Sequence, residues 1–187
     1  MTISFDNAHA LPEIYNARIG ASLADALVFI HDDVWIEDFY FTDRVLEGLQ
    51  HFDVIGVAGN SRRQPQQSAW AYPPGSNALD LPHLRGAIAH GEGPLGKVGF
   101  FGPIAGPCEL LDGVFLAARR QALVDHGVCF DTRFAFHFYD LDFCRSARSK
   151  GLRLGTWPVS MTHRSTGRPF TPEWQQARDA YFAKWGD

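Results

Sequence analysis

The chain has 187 residues, 45% hydrophobic and 20% charged, enough apolar material for one soluble domain with a sizeable core. A formal net charge of −4, with acids and bases interspersed, excludes a basic stripe that would neutralise phosphates, so no nucleic-acid partner is expected. No apolar run approaches the roughly 20 residues of a membrane span, the first ten residues lack a basic and apolar leader, and three cysteines without CxxC spacing argue against a disulfide framework; the expectation is a cytoplasmic protein with reduced thiols.

In chain order, "ALVFIHDD" (26–33) reads as a buried strand that runs straight into His31, Asp32 and Asp33. "EDFYFTDRVLEGLQHF" (37–52) has the spacing of an amphipathic helix, and "DVIGVAG" (53–59) reads as a second buried strand. From about Asn60 to Pro107 the pattern dissolves into Gly, Pro, Gln and Ser, a length that suggests a lid or binding loop. "CELLDGVFLAARR" (108–120) predicts a strand, followed by a short helix that Gly127 stops. "YDLDFCRSARSKG" (139–151) predicts a helix opened by acids, and "LRLGTWPVSM" (152–161) a strand. Thr171 and Pro172 cap a last helix over "PEWQQARDAYFAKW". Strand and helix signals alternate, which predicts a mostly parallel α/β sheet flanked by helices in a single domain over 1–187.

A strand that ends in carboxylates delivers them to the carboxyl edge of such a sheet, where loops converge on a crevice. Asp32 and Asp33 suit a hard cation there, although an Asp at that place also serves as a helix N-cap. His137, Asp140 and Asp142 form a second cluster at a predicted helix start, where acids also suit the helix dipole. His163 follows an apolar strand and can bind a metal or simply hydrogen-bond a loop. Together these residues suit Mn²⁺ or Mg²⁺ on phosphate oxygens, with a further carboxylate left as general base. Trp70 and Tyr72, in the long segment, can stack on a ligand or anchor the loop by packing.

Four ordered blocks, "YNARIGASLADALVFIHDDVWI", "LLDGVFLAARR", "FDTRFAFHFYDLDFCRSARSKGLRLGTWPV" and "THRSTG", resemble family 2 glycosyltransferases of GT-A fold, in particular a subgroup related to a streptomycin-biosynthesis protein. The resemblance implies a metal-dependent inverting transfer of a sugar from a nucleotide-diphosphate donor to an acceptor hydroxyl. It implies Asp33 and His163 as metal ligands, Asp32 as a donor contact and Asp140 as catalytic base, with His31 and Tyr139 standing where the family often has acids. Asp112, Gly113, His137, Asp142 and Trp70 are then expected to contact donor or acceptor. The family's nucleotide-binding half precedes the matched blocks, and here only "MTISFDNAHALPEI" stands there; a shortened N-terminal half, completed by a second copy or a partner chain, is expected. A metal-dependent hydrolase or phosphotransferase, and a non-catalytic sugar-binding remnant, are the alternative readings.

Overall fold

The computed structural model describes residues 9–164 and 170–187. Most of "MTISFDNAHALPEI", and Ser165 to Gly167 of the "THRSTG" block, lie outside the described residues. In chain order the elements are α1 (Leu11–Ala21), β1 (Ala26–Ile30), β2 (Val34–Ile36), α2 (Phe41–His51), β3 (Val54–Gly56), β4 (Ala58–Asn60), β5 (Leu84–His90), β6 (Lys97–Phe100), β7 (Gly106–Cys108), β8 (Leu110–Leu111), β9 (Phe115–Arg119), α3 (Arg120–Asp125), α4 (Tyr139–Ser149), β10 (Leu154–Thr156), β11 (Met161–His163) and α5 (Pro172–Trp185).

The first sheet has the order β1-β9-β3-β10-β7, and its strands alternate between two apolar layers as the pleat requires. On β9, Leu116 and Ala118 join Leu27, Phe29, Phe130 and Phe143 beneath α1, α4 and α5, while Phe115 and Ala117 join Val45, Leu49 and Ile55 beneath α2. Burial on both faces is why these strands read as continuous apolar runs rather than as alternating ones. The second sheet has the order β2-β11-β5-β4-β8, with β6 paired to β5.

The structure departs from the sequence expectation in two places. Among the described strands only β3 with β10 and β5 with β11 run parallel, so the sheets are mixed rather than mostly parallel. The cause is local: the chain leaves β1 at Ile30 beside the point where it enters β9, Ile30 pairing with Phe115 and the His31 amide donating to the Val114 carbonyl at 3.2 Å, so β9 must run back along β1. Second, the segment from 60 to 107 is only partly irregular, because it contains β5, β6 and the start of β7. Glycine disguised β5. Gly86 takes φ +91° and a Cβ there would stand 2.0 Å from the Val57 carbonyl oxygen, so the composition that suggests a loop is what lets two strands pass closely.

The C-terminal helix matches its sequence signature. Thr171 Oγ1 accepts the Trp174 amide at 3.2 Å, Pro172 opens the first turn and Gly186 closes the helix in the left-handed region. Tyr181 of α5 is fully buried against Phe134 and Phe138, which fastens α5 over the start of α4. Among the described residues no helix is long and apolar enough to cross a membrane.

Candidate active site

Three elements bring their ends together. β1 delivers His31, Asp32 and Asp33. β11 lies between β2 and β5, pairing His163 with Val34 on one side and with His90 on the other, which carries His163 across to Asp33. The Asp112–Gly113 turn between β8 and β9 meets the first turn of α4.

The Asp33 carboxylate and the ring nitrogens of His31 and His163 lie with one donor atom each inside 4.8 Å of one another. His163 Nε2 is buried and stands 3.1 Å from Asp33 Oδ1, but the approach is not aligned as a hydrogen bond and the nitrogen has no hydrogen-bond partner among the described residues. An unpartnered buried nitrogen costs free energy that native structures seldom bear without return. Two imidazoles, one with an unpartnered ring nitrogen, and a carboxylate fit a divalent ion. Asp32, one residue away, faces solvent, and neither acid caps a helix because β2 intervenes before α2. His90 was not foreseen: it sits in the supposed loop, yet its ring lies 5.9 Å from that of His163, and burial followed by this neighbour lowers its pKa. The His31 pKa is lowered as well, first by burial, with Asp112 opposing and His163 assisting.

Asp140 begins α4 facing the same region. Its carboxylate accepts the Gly113 amide at 3.0 Å and the Leu141 amide at 2.9 Å. Although half-buried by exposure, the carboxyl is enclosed by enough protein that desolvation, then the nearby Asp112 charge, pushes its pKa up to about 7. A carboxylate poised near neutrality suits proton abstraction. Phe138, just before it, is held at φ +65° with its ring packed on Trp174 and Tyr181, so α5 stabilises an uncommon backbone conformation at the site's edge.

Of the other residues singled out in the sequence, Asp112 is fixed in place, one oxygen accepting the Val114 amide at 2.9 Å and the other the Trp70 indole N–H at 2.8 Å. Trp70 thus anchors Asp112 and packs edge-on against Phe101. Gly113 underlies the α4 start: a Cβ there would stand 2.3 Å from the Tyr139 hydroxyl and 2.8 Å from Asp140 Cβ. His137 is half-buried beside Phe136 and within the field of Glu173, on the α5 side. Asp142 is not part of this region. It is fully buried, with Trp185 Nε1 and Lys184 Nζ each donating at 2.8 Å, and it fastens α5 to α4. Residues two apart on a helix point to nearly opposite faces, so Asp140 and Asp142 could not both serve one cleft. Phe136 also escaped notice; it is 54% exposed and stacks on the His31 ring at 6.1 Å, a free aromatic face at the mouth.

No curated protein matches the chain. A family model described as "Glycosyltransferase like family" matches residues 2–184, all of the elements above but the last residue of α5, and the chain belongs to that family.

Proposed function

We propose that the chain is a metal-dependent inverting glycosyltransferase that moves a sugar from a nucleotide-diphosphate donor to an acceptor hydroxyl. One observation carries the reading: an orphaned His163 nitrogen beside Asp33, with a carboxyl of pKa about 7 on the neighbouring helix start. Asp33 and His163 would hold the divalent ion, whose chemistry when bound is to neutralise charge on the departing diphosphate. Asp140 accepts the proton of the acceptor hydroxyl as that oxygen attacks the anomeric carbon. Its two amide hydrogen bonds aim the carboxylate without consuming its basicity, since the raised pKa already includes them. The Asp112 carboxylate, anchored by Trp70, faces the donor sugar and maintains the negative field that keeps Asp140 basic. A single in-line displacement inverts the anomeric centre. The irregular stretch 61–83, together with the β5–β6 hairpin, covers donor and acceptor and excludes water that would hydrolyse the donor.

A thermal-shift screen of uridine, guanosine and thymidine diphosphates, with and without Mn²⁺, tests the reading. At least one nucleotide is expected to raise the melting temperature only when Mn²⁺ is present, and Asp33→Ala is expected to abolish the effect. Equal stabilisation without the ion, or none by any nucleotide, contradicts it.

A further inference from the structure

We propose that His31 is a third ligand of that ion, through Nδ1, held in the role by Tyr139, and that the site in consequence prefers a nitrogen-seeking first-row ion such as Co²⁺ over Mg²⁺. The inference rests on the metal-dependent reading above and adds to it a ligand, a positioning residue and a metal class.

The Tyr139 hydroxyl has one hydrogen, and it is donated to the Gly113 carbonyl oxygen at 2.8 Å, an atom that can only accept. The same hydroxyl lies 2.8 Å from His31 Nε2. Its hydrogen being committed, the oxygen must accept there, so Nε2 carries the hydrogen and the lone pair of the neutral ring resides on Nδ1. A histidine whose far nitrogen is tied to a fixed oxygen is oriented and tautomerically set for metal binding.

The relay is built into the backbone. Gly113 passes so close beneath Tyr139 that no side chain fits between them, and the His31 amide is bonded to the next carbonyl, that of Val114. The turn from β1 into β2 brings a His31 nitrogen and an Asp33 oxygen within 4.8 Å of one another and of a His163 nitrogen. The resulting donors, two imidazoles and one carboxylate, differ in kind from a set of carboxylates: Mg²⁺ keeps to oxygen and water, whereas imidazole nitrogen favours iron, cobalt, nickel and zinc. Tyr139, which reaches the ion only through His31, is a positioning residue.

Calorimetric titration of Co²⁺ and Mg²⁺ into the full chain, with the visible absorption of bound Co²⁺, tests this. Unaltered protein is expected to bind Co²⁺ at least about tenfold more tightly than Mg²⁺. Tyr139→Phe keeps the ring and removes the relay, and is expected to lower Co²⁺ affinity by about 10–100-fold while hardly changing Mg²⁺. His31→Asn should lower Co²⁺ affinity further and alter its spectrum, and His31→Asp should bring the two ions closer together. Co²⁺ affinity and spectrum unchanged in both His31→Asn and Tyr139→Phe, with binding lost in Asp33→Ala, would overturn this inference and leave the transferase reading standing. Absence of binding of either ion to the unaltered chain would overturn both.

Discussion

The two ends of the first turn of α4 face opposite kinds of charged cluster. Toward α5, Asp142 has both oxygens engaged, Lys184 also reaches Asp131 at 2.8 Å, and the Asp187 side chain accepts from Arg63 at 3.0 Å and Arg145 at 2.5 Å. Toward β1 and β11, His163 has an unmatched nitrogen and Asp140 stands beside Asp112 with no cation supplied by the described residues. Burying a charge is tolerable where partners and hydrogen bonds are complete, and a cluster left incomplete marks a place where something else is to bind. The saturated cluster fastens the fold, and the unsaturated one is where the proposed chemistry is placed.

The largest effect expected from breaking this contrast is at Asp142. Asp142→Ala leaves the Trp185 N–H and part of the Lys184 charge without a partner, so urea denaturation should show a loss of about 3–5 kcal/mol. The fraction that stays folded should bind Mn²⁺ as the unaltered chain does. Next is the turn that joins the clusters: Gly113→Ala forces Tyr139 and Asp140 away from their places, and displacement of a base by about 1 Å is expected to lower turnover by about 10²-fold.

Much of the second cluster was legible in the sequence, because an apolar strand ending in "HDD" and an acid-led helix are local signals that survive folding. Donor atoms of Asp33 and His163 meet that of His31, and Asp140 follows Tyr139, whose hydroxyl lies against the His31 ring. The first cluster was not legible as such. Asp142 was grouped with Asp140 by proximity in the chain, although helical geometry sends them to opposite faces. Strand direction was also hidden, since β1 and β9 pair across some eighty-five residues through the Ile30–Phe115 register, and alternating strand and helix signals suggest parallel crossovers whatever the actual partner. His90 and the Tyr139 relay depend on which backbone atoms meet, information that periodicity does not carry.

The pH dependence sharpens the comparison further. Only ionised Asp140 can accept a proton, so turnover should rise about tenfold per pH unit below pH 7 and level off above it. Stability should run the other way. The folded carboxyl holds its proton up to about pH 7 while the unfolded one releases it near 3.8, so the native state binds more protons between those values and stability falls as pH rises through that window. Asp140→Asn removes this penalty and should stabilise the chain at pH 8 by about 1–3 kcal/mol in chemical denaturation. The smallest effect belongs to an exposed pair outside both clusters: Glu92→Gln, which frees Arg164, should change stability by no more than about 0.5 kcal/mol.

The most direct test of the central claim is turnover of nucleotide-diphosphate sugars by the unaltered chain and by Asp140→Asn, with Mn²⁺ affinity measured on the same samples. A fall in turnover of about 10²- to 10⁴-fold at unchanged Mn²⁺ affinity is predicted, because the substitution keeps the shape of the side chain and removes only its ability to take the proton. Equal turnover by the two proteins would contradict the assignment of this cluster as the place where the chemistry occurs.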